Sequence, residues 1–302
     1  MSSYVLYGAG AVGGVIGARL HLAGHDVTLV ARGEHLARIR AGGLVLDAAG
    51  GRHVVDAPAT DSTAEIDWSS RPVVLLSVKS HQTGAALTDL ARHAPEDTPV
   101  VCVQNGVANE PATLRWFART QAVTVMLPSS HLEPGVVVQG CDPVPGILDI
   151  GRFPSGTDEV SERVGADLRS AGFESEPRPD IMAWKYRKLV TNAVGDVSAV
   201  LPDEADELKP LVRAEAEAVL AAAGVAVVSH EDDLARRGDL LRPRPGIDGP
   251  NSLGQSLARG LDTEVDYRAG EVVLLGRLHG VPTPANERVQ RAAHARSGHP
   301  PM

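Results

Sequence analysis

Cysteine is almost absent from this 302-residue chain: Cys102 and Cys141 stand alone, outside any CxxC pair, with no spaced histidine cluster beside them. Neither a disulfide framework nor a zinc site is expected, and no metal is assigned. Cys102, set in an apolar run, reads as a small core residue. Long hydrophobic runs are missing too, since none approaches the ~20 residues that cross a bilayer. The opening Met1-Ser2-Ser3-Tyr4 has neither the basic stretch nor the apolar core of a secretory signal. A cytoplasmic protein without a membrane partner is the expectation. Positive charge is also in deficit: a formal net charge of −9 argues against a nucleic-acid partner. Among the basic residues lysine is scarce, with only Lys79, Lys185, Lys188 and Lys209 against 25 arginines. Surface charge is therefore supplied by arginine. A remaining lysine is either a chance survivor or a group that must lose its proton near neutral pH, which arginine cannot do.

What is present is the composition of a globular protein, 43% hydrophobic and 22% charged, long enough for two domains with sizeable cores. Tyr4-Val5-Leu6-Tyr7 reads as a buried strand, Gly8-Ala9-Gly10-Ala11-Val12-Gly13-Gly14 as a glycine turn, and Ala11 to Ala23 as a helix. That order is the one a dinucleotide-binding βαβ unit requires. Gly8 permits the tight turn, Gly10 leaves no Cβ before a pyrophosphate, and Gly13 lets the helix lie close on the strand. The free N–H groups and the positive helix end then face the phosphates, which makes Gly8, Ala9, Gly10, Ala11, Val12 and Gly13 the candidate cofactor residues here. The next strand, His25 to Val30, ends in Ala31-Arg32-Gly33 where an acidic residue would hold the ribose 2′-OH of NAD. Arg32 suits a 2′-phosphate, so NADP(H) is favoured over NAD.

Further along, Gly33–Gly43 is helical in pattern and Leu44-Val45-Leu46 pairs with His53-Val54-Val55 around Gly50-Gly51. Pro72 to Lys79 reads as a buried parallel strand, 82–93 as a helix, and Pro99 to Val103 as another strand running into Gln104-Asn105-Gly106. Ligands bind at the carboxyl ends of such strands. Lys79 is either placed beside the cofactor there or is a solvated strand end; Asn105 either orients the nicotinamide or substrate or marks a turn. Strands at 122–126, 136–138 and 147–150 and a helix at 157–171 complete the first half, and the charged run 174–179 reads as a linker. Beyond it only helical spacing recurs, over 181–200, 203–223, 252–260, 263–278 and 284–296. The fold class is thus α/β, a Rossmann-type dinucleotide-binding domain over 1–177 followed by an all-α domain over 178–302. The basic, Pro/Gly-rich stretch 236–246 reads as a solvated surface loop, with a lid as the alternative, and the tail from Ser297 as frayed.

On the first helix of the second half, Lys188, Asn192 and Asp196 fall at i, i+4 and i+8, with Lys185 at i−3 on the same stripe. Such a stripe needs either water or a ligand. A lysine in a cleft between domains is partly desolvated and can protonate an oxygen that gains charge, which is the demand of carbonyl reduction. Downstream, Ser252 reads as a hydroxyl at a helix start or simply an N-cap, and Glu264 as a partner for Lys188 or surface charge.

The glycine turn, Ser77-Val78-Lys79, Gln104-Asn105-Gly106, Arg187-Lys188-Leu189 with Asn192, Ser252-Leu253, Thr263-Glu264-Val265-Asp266-Tyr267 and the later Gly280 to Asn286 resemble the ketopantoate reductase family in order and spacing. The resemblance implies NADPH-dependent reduction of ketopantoate to pantoate, with a small 2-oxo acid as partner, in a monomer or homodimer. It implies Lys188 as the general acid, Glu264 holding its ammonium group, Asn105 and Lys79 beside the nicotinamide, and Asn192 and Ser252 on the substrate. Two positions depart from the pattern, Asp196 and Gly249 standing where the family has Asn. Asp196 can accept a substrate hydroxyl, but its charge would repel a 2-oxo acid carboxylate. A family relative acting on another 2-oxo compound is therefore the second reading, and a dinucleotide-binding sensor without turnover the third.

Overall fold

β1 (Ser3–Tyr7) is apolar from Tyr4 onward because both of its faces are covered. In a computed structural model, which describes residues 1–247, 252–258 and 262–297, the chain forms two compact units. The first comprises Met1–Gln104, Asn109–Ile181 and Ala235–Ile247. It begins with β1, α1 (Ala11–Leu22), β2 (Asp26–Val30), α2 (Gly33–Gly42), β3 (Leu44–Ala48), β4 (Gly51–Val55) and β5 (Ala59–Thr60). There follow β6 (Val73–Leu76), α3 (Thr83–Leu90), β7 (Val100–Cys102), α4 (Asn109–Leu114), β8 (Thr120–Met126), β9 (Ser129–Ser130), β10 (Val136–Gln139), β11 (Ile147–Arg152) and α5 (Glu159–Ser170).

Seven strands lie in the order β11-β8-β7-β6-β1-β2-β5, all parallel except β11, which runs against β8. This is the doubly wound arrangement expected from the glycine turn. Alternate residues feed two cores. Leu6, Leu29, Leu75 and Val101 pack with Val15, Ile16 and Leu20 of α1 and Val160, Val164 and Leu168 of α5. Val5, Tyr7, Val74, Leu76 and Val100 pack with Ala86, Leu87 and Leu90 of α3. Burial on both faces explains why these strands are continuous apolar runs without alternation.

The expected β3–β4 hairpin forms, but it belongs to a second sheet, β4-β3-β10-β9, in which β10 runs parallel to β3. The run 174–178, expected as a linker, is hydrogen-bonded along β11: Leu148 and Ile150 N–H donate to the carbonyls of Glu174 and Glu176, and Arg178 N–H to that of Ile150. Expected helix spans shorten where a tight 3-10 turn takes over, as at Ser80–Gln82 before α3.

The second unit comprises Asn105–Ala108, Met182–Leu234 and the described residues from 252 on. Its helices are α6 (Ile181–Val200), α7 (Ala205–Ala222), α8 (His230–Arg237), α9 (Ser252–Ala258), α10 (Ala269–His279) and α11 (Pro284–Arg296), as the helical spacing predicts apart from the additional α8. Leu189, Ala193, Val197 and Val200 of α6 face Val212 and Val219 of α7, Val272 of α10 and Val289 of α11. No helix among the described residues is long and apolar enough to cross a membrane.

The stretch 236–246, expected as a solvated loop, is instead the end of α8 and an arm bonded to the first unit. Arg236 donates to both carboxylate oxygens of Asp149, at 2.8 and 2.9 Å, and Arg178 donates to Oδ2 of the same group. Pro243 bridges to Cys141, and Arg244 donates to the Asp47 carboxylate and to the carbonyls of Asp47 and Gln139.

Candidate active site

In the first unit the residues expected at the pyrophosphate gather at the β1–α1 turn. Gly8 has φ +109°, a conformation that L side chains rarely adopt, and its N–H and that of Ala9 both donate to the Val30 carbonyl. A Cβ on Gly13 would collide with Ser77 Oγ and the Gly8 carbonyl, whereas one on Gly10 would meet nothing within 4 Å. Gly10 therefore borders open space. Close helix–strand approach is achieved one turn later, where Gly17 lies against Leu6 and Leu29. Ala11 and Val12 open α1, whose N-cap Gly10 offers no side-chain cap to the first N–H groups. Ser77, which the sequence reading gave no role, donates to the Gly8 carbonyl at 2.9 Å and pins the turn to the end of β6.

Arg32 is exposed and lies at the phenol of Tyr7. That phenol donates to Asp89 at 2.8 Å; burial and Asp89 push its pKa up to about 12, against the opposing pull of Arg32. No acidic residue stands at the end of β2, where Val30, Ala31 and Arg32 follow one another.

Lys79 is half-buried and follows β6 by three residues instead of ending it. A buried polar network fixes its backbone. Gln104 Nε2 donates to the Val78 carbonyl and to Thr83 Oγ1, both at 2.8 Å; Thr83 donates to Asn109, and Asn109 to Ser80. The sequence pointed to Gln104 only as a polar residue at the strand end and passed over Thr83 and Asn109; all three are polar at buried positions.

The second unit gathers the polar stripe of α6. Lys188 and Asn192 are half-buried, while Lys185 is 3% and Asp196 0% exposed, so the stripe is not a solvated face. Asn192 Nδ2 donates to Asn105 Oδ1 at 3.2 Å, which brings two of the expected residues together. Asn105 is held there by Gly106, whose φ of +78° and close approach to the Tyr267 carbonyl admit no side chain. Arg187, beside Lys188, takes no part in the stripe: it donates to Glu217 and the Val228 carbonyl.

Asp196 does not stand open to a substrate. Its Oδ1 accepts from Arg268 Nη1 at 2.7 Å, and both side chains are buried. Burial pulls the Arg268 pKa down, but the carboxylates of Asp196 and Glu264 reverse this and hold the guanidinium charged. The negative charge expected to repel a 2-oxo acid is thus neutralised inside the fold. Glu264 is 6% exposed and precedes the 3-10 turn Val265–Tyr267, where a continuous helix was expected. Arg268 was missed, although an arginine entering an apolar helix is the natural complement of a lone Asp on another. Ser252 opens α9; its side chain, the Gly249 position and the tail beyond Ser297 lie outside the described residues.

The family model described as ketopantoate reductase PanE/ApbA matches residues 4–155, and the one for that family's C-terminal region matches residues 180–297. The 2-dehydropantoate 2-reductase of Pyrococcus horikoshii is 29% identical over 292 residues, covering 95% of this chain and 94% of its own. That of Mycobacterium tuberculosis is 30% identical over 295 residues, covering 93% of each. Among solved structures, a PanE/ApbA family ketopantoate reductase from Ralstonia eutropha superposes with a TM-score of 0.82 at 25% identity over 99% of both chains. A ternary complex of D-mandelate dehydrogenase with NADH and anilino(oxo)acetate, 23% identical, shares the fold with a TM-score of 0.84 over 99% of both chains.

Proposed function

Because the chain belongs to the ketopantoate reductase family, whose oxidoreductases act on a CH–OH group, we propose that it reduces 2-dehydropantoate to pantoate with NADPH, on the route to pantothenate and coenzyme A. The observation that carries this reading is the stripe of α6, where Lys188 stands one turn from an Asn192 already bonded to Asn105. The open backbone at Gly10, the uncapped start of α1 and Arg32 in place of an acidic residue favour a dinucleotide bearing a 2′-phosphate.

In this reading the bound nicotinamide supplies a hydride to the carbonyl carbon. Lys188 donates a proton from Nζ to the carbonyl oxygen as charge develops there, and leaves the step as a neutral amine. Glu264 would favour the ammonium form of Lys188, which takes a proton from solvent between turnovers. Asn192 and Asn105 orient the substrate, Ser252 contributes a hydroxyl, and Lys79 lies beside the cofactor.

One observation favours a second substrate within the same reaction class. Asp196, which stands where the family pattern has Asn, is taken up by Arg268, so a 2-oxo compound other than 2-dehydropantoate is the alternative substrate. The test is oxidation of NADPH by purified protein with 2-dehydropantoate and a panel of other 2-oxo acids. Fastest turnover with 2-dehydropantoate supports the leading reading, and a preference for another 2-oxo acid supports the second. Absence of turnover with every member contradicts both.

A further inference from the structure

His35, on the first turn of α2, has both ring nitrogens committed to backbone. Nε2 lies 2.7 Å from the Ala9 carbonyl, and Nδ1 accepts the Gly135 N–H at 2.9 Å. An acceptor at Nδ1 and a carbonyl at Nε2 fix one state, the neutral imidazole with its proton on Nε2. Gly135 reaches the ring only because it is glycine: its φ is +83°, and a Cβ there would stand 2.8 Å from that of Arg38.

The bond to Ala9 matters because of where Ala9 sits. Its N–H is already held by the Val30 carbonyl, so His35 fixes the second polar group of the same residue. In a trans peptide C=O and N–H point opposite ways. Drawing the Ala9 carbonyl toward His35 therefore aims the Gly10 N–H to the other side, on the residue that borders open space.

We infer that neutral His35 is a positioning residue for the phosphate-binding turn, holding the Ala9–Gly10 peptide in the orientation that a bound dinucleotide needs and releasing it when the ring is protonated. The inference rests on the dinucleotide reading of the turn and adds to it a residue and a pH dependence. A protonated ring would set a donor at Nδ1 against the Gly135 N–H, so the Gly135 bond must break and the ring loses the anchor that holds it against the Ala9 carbonyl. Burial already lowers the pKa of His35, with the Ala9 bond pulling the other way and His131 adding to the lowering. His131, whose ring centroid is 4.1 Å away, comes from the segment before β10. Glu133 lies on that same segment, Glu34 and Arg38 are on α2 itself, and residues 8–14 of the glycine turn bring no titratable group. The folded-state pKa is thus below the unfolded one, so the native contact is complete above about pH 6.5 and is lost as pH falls through the lower, folded-state value.

The experiment measures NADPH and NADH dissociation constants by fluorescence titration at pH 7.5 and 5.5, for wild type and His35→Phe. NADH is included because the 2′-phosphate of NADPH itself titrates near pH 6. The expected result is about three- to tenfold weaker binding of both dinucleotides in His35→Phe at pH 7.5. NADH binding by wild type should weaken on acidification while that of the variant stays flat. Equal constants for the two proteins, or a pH response retained in the variant, would overturn the inference and leave the cofactor reading standing. Failure of wild type to bind either dinucleotide would overturn both. If His35→Phe does not fold, nitrogen NMR of the wild-type imidazole decides: an Nε2-protonated neutral ring at pH 7 is required, and the other tautomer or a cationic ring would overturn the proposal.

Discussion

Asp196 and Arg268 form a buried pair in which each side chain depends on the other. Replacing Asp196 by Asn removes the carboxylate bonded to a buried guanidinium, so Asp196→Asn should lower unfolding stability by about 3–5 kcal/mol. Replacing both, as Asp196→Asn with Arg268→Gln, should recover part of that loss, because the buried guanidinium is gone while the Glu264 carboxylate loses its attraction to it. Denaturant titration of the three proteins checks both statements, and an additive double variant would contradict the pairing. Glu271 presents the opposite case: burial alone raises its carboxyl pKa. A raised carboxyl pKa means that the folded state holds its proton longer, so stability falls as pH rises through the window between the unfolded and folded values. Glu271→Gln removes the cost of ionising this group and should raise Tm at neutral pH by about 1–3 °C. An unchanged or lower Tm would show that the carboxylate is already well solvated.

At the scale of single elements, the β1–α1 turn separates two uses of glycine. Gly13→Ala drives a methyl into Ser77 and the Gly8 carbonyl and should lower both stability and dinucleotide affinity. Gly10→Ala meets nothing in the fold and should leave Tm within about 1 °C while weakening dinucleotide binding about tenfold or more. Thermal melts beside cofactor titrations distinguish these outcomes; unimpaired binding in Gly10→Ala would remove the turn from the site. This turn, the parallel strands and α6 were legible in the sequence because each is a local pattern: a glycine spacing, an apolar run, a 3.6-residue period. The parallel pairing of β10 with β3 was not, since it joins Val136 to Val45 across ninety residues with no turn to announce it. Nor was the arm at 236–246, whose arginines look solvated until Asp149 and Asp47 are known to face them. The break at Val265–Tyr267 was hidden for a similar reason, because the helical spacing of 263–278 continues through a turn that Arg268 interrupts with φ −129° and ψ −94°.

For the whole molecule, neither compact unit is one continuous stretch. Asn105–Ala108 departs from the first unit and Ala235–Ile247 returns to it, so a fragment ending at Ile181 lacks both Arg236 and Arg244. Asp149 is buried, which raises its pKa, but Arg236 and Arg178 win and hold it below the usual carboxylate range. A depressed carboxylate stabilises the fold above the unfolded pKa, and the contribution is lost as pH falls through the folded value. Arg236→Ala in the full chain should cost about 3 kcal/mol at neutral pH and flatten this acid dependence. The 1–181 fragment should unfold at a lower denaturant concentration than the full chain for the same reason. The central claim, however, concerns a single ammonium group, and single-turnover oxidation of NADPH in the presence of 2-dehydropantoate addresses it most directly. Lys188→Ala should bind NADPH as wild type does yet transfer hydride about 10²–10⁴-fold more slowly; a rate equal to wild type would contradict the account.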